Sequence, residues 1–282
     1  MAHEAHLLGG LIALLAAAVW GTGDYLGGLA TRGRDQYHVL LLASGSGLVT
    51  LLLVMILIGE GWPSASSMAW GAAAGISGAV GIAALYRGLA DAQAALVAPI
   101  SAVVGVILPV MVGIVTEGAP PLLRWVGIAA GLLGIWLVSA DAGRAGDNSR
   151  HGLALAIIAG LGFGGFFVLI AQVEEGSVFG PLVAAKTFAV LFCAVLLLFR
   201  RRRMPSIREN RGALVAGVFD AGGNVFFLLA AQLTRLEIAA LIASMSPAMT
   251  VALAAALLRQ KATVRQVVGV VVSLVAIGLL VV

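Results

Sequence analysis

Three charged residues stand deep inside long apolar stretches of this chain, and their side chains are the ones best suited to chemistry: Asp24, Lys186 and Asp220. A charge at the centre of a membrane helix costs roughly 2.5–3.5 kcal/mol on insertion scales, so each charge needs a partner or a wet cavity. Acidic and basic groups in such surroundings bind charged solutes or exchange protons. The helices that carry these residues decide which chemistry is available.

Lys186 and Asp220 fall on the seventh and eighth apolar stretches, which would be antiparallel neighbours. Measured from the loop between them, Lys186 lies about 20 Å deep and Asp220 about 13 Å deep, at a helical rise of 1.5 Å per residue. Since a lysine side chain can bridge that difference, we predict that the two interact. Two interpretations remain open: a buried ion pair that fixes helix register, or a cavity pair that meets a charged or zwitterionic substrate or exchanges a proton.

Asn224 and Phe227 follow Asp220 by four and seven residues, so the three share one helical face. That face would offer a carboxylate, an amide and an aromatic wall, which suit a small amphipathic solute. The alternative is that Asn224 and Asp220 form hydrogen bonds between helices.

The first apolar stretch carries a second candidate group made of Trp20, Thr22 and Asp24. Asp24 can line a transport path. Alternatively, it can reach the membrane interface and pair with Arg32 or Arg34.

Prolines mark the fourth and ninth stretches, at Pro99 and Pro109 in the fourth and Pro247 in the ninth. Each proline removes a backbone donor and frees a carbonyl, which in a membrane helix predicts a kink. The freed groups must face protein or water. We therefore predict that these helices form gates or cavity walls.

Composition places the chain in the membrane. It is 61% hydrophobic and 11% charged, whereas a soluble domain has about 25% charged residues. Crossing the hydrocarbon takes about 20 apolar residues in a helix. We predict an all-α integral membrane protein with ten spans: Leu7–Ala30, Tyr37–Ile58, Met68–Ala90, Ala94–Thr116, Leu122–Ala140, Gly152–Val173, Val178–Phe199, Gly212–Leu233, Ile238–Leu258 and Val264–Val282.

Motifs of enzymes and of metal or nucleotide sites are missing from the sequence. His3-Glu4-Ala5-His6 lacks the spacing of a zinc metalloprotease helix, and no G-x-x-x-x-G-K-[ST] phosphate loop occurs. One cysteine, Cys193, excludes a disulfide framework. We expect no enzymatic activity, no metal and no cofactor.

The chain repeats itself. Shifting residues 122–138 by about 142 positions places Val126-Gly127 on Val268-Gly269 and Ile135 on Ile277. A unit with an odd number of spans, when duplicated, gives halves of opposite orientation. We predict two inverted five-helix repeats, the first at residues 1–140 and the second at 152–282, joined by a linker at 141–151.

Basic residues gather in the odd-numbered loops or at their edges. These loops hold fourteen of the 17 lysines and arginines, the exceptions being Arg124, Lys186 and Arg235. Because cytoplasmic loops retain basic residues, the odd-numbered loops should be cytoplasmic and both termini outside. The run Arg200–Arg203 then anchors the topology at lipid headgroups and does not bind nucleic acid.

Several short motifs, taken in order, resemble the EamA family of the drug/metabolite transporter superfamily. They are Ala17–Thr22, Ala84–Leu89, Ala94–Ile100, Thr116–Gly118 followed by Val126–Ile128, Ala239–Ile242, and Ser246-Pro247. The resemblance covers essentially the whole chain as two units. It implies a ten-helix bundle with a central cavity that moves small organic metabolites, often outward. The chain differs from the family pattern at Gln260, because family members often have a glutamate at this position of the second unit, matching Glu117 of the first. The family is also usually drawn with both termini in the cytoplasm, opposite to the arginine count.

These observations predict a secondary transporter in a bacterial inner membrane, most simply an exporter of metabolites such as amino acids. The alternatives are an exporter of hydrophobic cations, with Asp24 or Asp220 as the binding acid, and a non-transporting scaffold or sensor. The expected partners are a small solute, lipid and, in one alternative, a coupling proton, with no nucleic acid. The protein is expected to be a monomer or a homodimer.

Overall fold

The computed structural model describes residues 2–31, 35–90, 94–139, 149–200, 206, 210–258 and 262–281. Within these ranges the regular structure is helical and there is no β-strand. The helices are α1 Ala2–Ala30, α2 Gln36–Ile58, α3 Ala65–Ala90, α4 Ala94–Glu117, α5 Leu122–Ser139, α6 Ser149–Ile170, α7 Phe179–Phe199, α8 Arg211–Leu233, α9 Leu236–Ala243, α10 Ser246–Leu258 and α11 Val264–Val281.

Ten segments in the described ranges are long and apolar enough to cross a membrane, which confirms the predicted number of spans. The ninth span is divided into α9 and α10 by a turn at Ser244 and Met245. It also begins two residues earlier than the predicted start at Ile238, so that Glu237 lies inside a helix. The sequence placed this acid in a loop because its charge interrupts the apolar run. Most of the predicted linker, residues 141–148, lies outside the described residues, and α6 begins at Ser149.

Helices pair mainly between the two repeats. The prominent pairs are α1 with α8, α3 with α6, α2 with α8, α3 with α7, α4 with α6, α1 with α9 and α10, and, between equivalent spans of the two repeats, α5 with α11, α2 with α7 and α4 with α9. If each span is replaced by its equivalent in the other repeat, the last three pairs map onto themselves and every other pair maps onto another pair of the set. The bundle therefore has a pseudo-two-fold relation between its halves. Because five is odd, equivalent helices run in opposite directions, as expected for inverted repeats.

Small residues allow these helices to approach closely. A side-chain carbon at Gly71 or Gly75 of α3 would overlap the backbone of Pro181 or Ala185 on α7. Lipid tails are as apolar as leucine, so such close backbone packing, rather than exclusion of water, holds membrane helices together. The most deeply buried element is α9, all eight residues of which are buried. This short helix lies where the halves meet, against α1, α4 and α8.

Candidate functional site

Lys186 of α7 and Asp220 of α8 form an ion pair between their Nζ and Oδ2 atoms. The lysine side chain is 13% exposed and that of the aspartate 41% exposed, so the aspartate is the more accessible member of the pair. Asn224 donates from Nδ2 to the main-chain oxygen of Asp220 at 2.5 Å and to its Oδ1 at 3.3 Å. The amide is buried and orients Asp220, rather than facing a solute itself.

Asp24 of α1 lies near Asp220, on the side of α1 that packs against α8. Its side chain is exposed although it lies within a span. At the adjacent Gly23, a side-chain carbon would be 3.4 Å from the backbone nitrogen of Asp220, which shows how closely α1 and α8 approach there. The two carboxylates are near enough for their charges to repel.

The hydrogen-bond partner of Asp24 comes from the broken ninth span. Ser246, the first residue of α10, donates from Oγ to Asp24 Oδ2 at 3.5 Å. No lysine or arginine pairs with Asp24 in the part of the chain that the structure describes. Arg32 and Arg34, the alternative partners predicted from the sequence, lie outside the described residues.

The prolines of the two repeat mates have different effects. Pro247 lies in the first turn of α10, directly after the break, where a missing N–H costs no helical hydrogen bond. The N-terminus of α10 therefore points into the membrane beside Asp24, and its unpaired N–H groups favour negative charge. Pro99 and Pro109 are buried within α4, which remains one continuous helix.

An aromatic cluster lies one turn deeper than Asp24. The Trp20 ring lies 5.8 Å from Phe227 and 5.9 Å from Phe167, and the two phenylalanine rings lie 4.6 Å apart. Phe227 is fully buried and packs against Trp20 in this conformation. The hydroxyl of Thr22 donates to Ala18 O of its own helix at 2.8 Å.

The bundle is closed at the membrane face that carries the loops at 59–64, 118–121, 171–178 and 234–235, here named the terminal face. There Glu60 Oε1 accepts backbone N–H groups from Phe179 at 2.8 Å and Gly180 at 3.0 Å, which ties the first repeat to the start of α7. Arg235 binds Gly118 O at 2.6 Å and so ties α9 to the end of α4. The opposite face, named the arginine-rich face, has no prominent packing between α4 and α10 among the described residues.

Comparison with known proteins agrees with this architecture. The EamA-like transporter family matches the chain twice, over residues 7–140 and 150–282. The chain belongs to the EamA-like transporter family. It is therefore a multi-pass membrane transporter protein, and the resemblance predicted from its short motifs is confirmed. Members of this family are transporters and not enzymes.

Solved structures share the EamA fold of this chain. One crystal structure superposes with a TM-score of 0.77 over 96% of this chain and 97% of the other, at 14% sequence identity. At that identity the likeness shows the fold alone. No curated protein matches the chain.

Sequence reasoning missed two residues of this EamA protein, one in the aromatic cluster and one near the terminal face. Phe167 completes the aromatic cluster, and its signal was its position in the sixth span, the repeat mate of the span that carries Trp20. Glu237 is fully buried at the start of α9 and was assigned to a loop. The sequence clue to its burial was the neighbouring Arg235, whose positive charge could neutralise the Glu237 carboxylate.

Proposed function

We propose that this protein is a secondary transporter that exports small metabolites bearing an amino group, amino acids among them, across a bacterial inner membrane. The observation that carries the proposal is the Asp24 carboxylate. It is exposed within a membrane span and adjacent to the Lys186–Asp220 pair, and among the described residues its hydrogen-bond partner is the hydroxyl of Ser246. An ionisable group at such depth is characteristic of a substrate or ion pathway.

The arrangement complements both ends of an amino acid. The Asp24 carboxylate would accept the substrate ammonium group. The substrate carboxylate would face Lys186 and the N-terminus of α10, both of which favour negative charge. Trp20, one turn deeper, offers an aromatic surface to the apolar side chain. A concave site with an apolar floor and a few convergent polar groups is the usual form of a small-molecule pocket.

Export of hydrophobic cations is the second candidate function. When Asp24 is ionised, its carboxylate and that of Asp220 exceed the single ammonium group of Lys186 by one negative charge. The neighbouring Trp20 ring could also attract a cation to its face. The two candidates differ in whether the substrate needs a carboxylate of its own.

Alternating access follows from the inverted repeats. In this conformation cross-repeat contacts close the terminal face, while α4 and α10 are not packed together toward the arginine-rich face. The concentration of basic residues assigns the arginine-rich face to the cytoplasm. Substrate would then reach Asp24 from the cytoplasm, and it would be released outside after the two halves rock. We propose that a monomer or homodimer carries out this cycle.

The test is a flux assay in proteoliposomes with pooled metabolites, followed by individual amines, amino acids and amino-acid amides. Asp24→Asn should abolish binding and flux while leaving thermal unfolding close to that of the wild type. Glu175→Gln, which changes an exposed loop carboxylate, is the matched control and should transport normally.

The outcomes separate the candidates. Loss of transport on amidating the substrate carboxylate supports amino acids, and retention supports cations. Normal flux by Asp24→Asn overturns the assigned site. Absence of flux for every solute would favour a scaffold or sensor.

A further inference from the structure

We propose that Glu237 is a proton-binding site that controls opening of the terminal face. This site is separate from the Asp24 cavity, and the proposal rests on the proposed function only in assuming that the terminal face opens during transport. The bound species is a proton taken from the aqueous phase at that face.

Glu237 is a buried carboxylate with one satisfied oxygen. Its side chain has no exposed surface, and its Oε1 accepts a hydrogen bond from Arg235 Nε. Its Oε2 is buried and has no hydrogen-bond partner. Burying an ionised oxygen without a donor is costly, so this atom is where a proton would relieve the greatest cost.

The carboxylate lies directly against the first repeat. A side-chain carbon at Gly113 of α4 would overlap Glu237 Oε2, so only glycine lets the two helices meet in this way. The unpartnered oxygen is thus enclosed by the α4–α9 contact that must separate when the terminal face opens. Opening would bring water to this oxygen.

Arg235 is shared between two acids and a helix end. Its Nη2 donates to Gly118 O at 2.6 Å, just beyond the last residue of α4, and its Nε lies 3.8 Å from Glu117 Oε2. One guanidinium group therefore faces two carboxylates, and the cluster of Glu117, Arg235 and Glu237 has one excess negative charge. A single proton neutralises it. Glu117 is 41% exposed and solvated by water, so Glu237 is the acid on which a proton removes a buried charge.

Other titratable or charged groups flank this cluster on the helices packed against α9. Among the described residues at this face they are Glu117 on α4, Glu4 and His6 on α1, and Arg124 on α5. His6 Nδ1 lies 2.6 Å from Thr234 Oγ1, one residue before Arg235. Glu4 is exposed at the same end of α1. Glu117, an acid of the same cluster, is therefore the matched comparison for Glu237.

The proposed step is a simple proton transfer. A hydronium ion from the aqueous phase gives a proton to Glu237 Oε2. One O–H bond of the hydronium breaks, one O–H bond forms at the carboxylate, water is released, and the carboxyl becomes neutral. Arg235 then loses one of its two anionic partners, and the ionic hold of α9 on α4 weakens. Loss of that proton restores the ion pair and the closed face.

The cluster belongs to one face only. Aligning Ala239-Ala240-Leu241 with Ala94-Ala95-Leu96 places Arg235 and Glu237 on Ala90 and Ala92, and Glu117 corresponds to Gln260. The three charges are therefore not repeated at the equivalent positions of the other half. A proton bound at Glu237 would act on the terminal face without a sequence-equivalent site in the first repeat.

The experiment measures the distance between two loops of the terminal face. Spin labels at Ala119→Cys and Glu175→Cys, in a Cys193→Ala background in lipid nanodiscs without substrate, report the distance between the loop after α4 and the loop before α7. Acidification should lengthen this distance by about 5 Å, one helical turn, in the wild type. Glu237→Gln should give the long distance at neutral pH and no further response.

Matched variants keep the result decisive. Glu117→Gln should retain the pH response. Glu237→Asp, which keeps a titratable group, takes the place of Glu237→Gln if that variant does not fold. A wild-type protein without a pH response, or a Glu237→Gln protein that responds like the wild type, overturns the proposal. Asp24→Asn should keep the response while losing substrate binding, which separates failure of this inference from failure of the proposed function.

Discussion

Removing the two members of the Lys186–Asp220 pair should have unequal effects on stability. Asp220→Leu leaves Lys186, whose side chain is 13% exposed, without its paired carboxylate, whereas Lys186→Met leaves Asp220, which is 41% exposed, without its paired ammonium group. Breaking a buried pair costs about 3–5 kcal/mol, and an exposed pair is worth about 0–1 kcal/mol. The cost of leaving Lys186 unpaired should lie near the value for a buried pair. The cost of leaving Asp220 unpaired should lie between the values for a buried and an exposed pair.

We therefore expect a loss in the free energy of unfolding of about 3 kcal/mol for Asp220→Leu and about 1–2 kcal/mol for Lys186→Met. The double variant should be more stable than Asp220→Leu alone, because neither member of the pair is left without the other. The coupling energy from a double-mutant cycle should be about 2 kcal/mol.

Equilibrium unfolding in mixed detergent micelles, followed by helical circular dichroism, measures all four proteins of the cycle. Lys186→Met combined with Glu175→Gln, an exposed carboxylate far along the chain, is the control and should be additive. Equal losses for the two single variants would refute the argument from burial. A double variant no more stable than the worse single variant would refute the pairing itself.

Three further predictions concern other parts of the bundle. Gly223→Ala should lower substrate affinity in a binding assay because a methyl group there would overlap the Trp20 indole; unchanged affinity would separate Trp20 from the site. Ser206→Cys in a Cys193→Ala background should resist a membrane-impermeant thiol reagent in intact cells, since the loop is assigned to the cytoplasm, and rapid labelling would reverse the topology. Glu60→Ala should lower the free energy of unfolding in detergent by about 1–2 kcal/mol because the first N–H groups of α7 lose their acceptor. Glu60→Gln should lower it less, and equal losses for the two variants would show that the capping bond contributes little.

Part of the candidate site was accessible from the sequence. Lys186 and Asp220 could be matched because they lie on consecutive helices joined by one loop, so that their depths are fixed by residue count. Asp24 was recognised as a membrane-embedded acid, but its partner Ser246 lies 222 residues away. The face that Asp220 shares with Phe227 was identified by periodicity, yet Phe227 proved to be fully buried behind Trp20.

The sequence by itself determined the membrane class, the ten spans and the duplicated five-helix unit. It could do so because bilayer thickness fixes the length of each apolar run, and because every backbone polar group in lipid must be satisfied within a helix. Only the tertiary structure decided how each helix is rotated and which partner it meets in the other repeat. Lipid and protein interior are equally apolar, so the residues that face them carry little contrasting pattern, and close packing between small residues makes the choice. For that reason the break before α10, the aromatic support beneath Trp20 and the enclosed carboxylate of Glu237 became visible only in the assembled bundle.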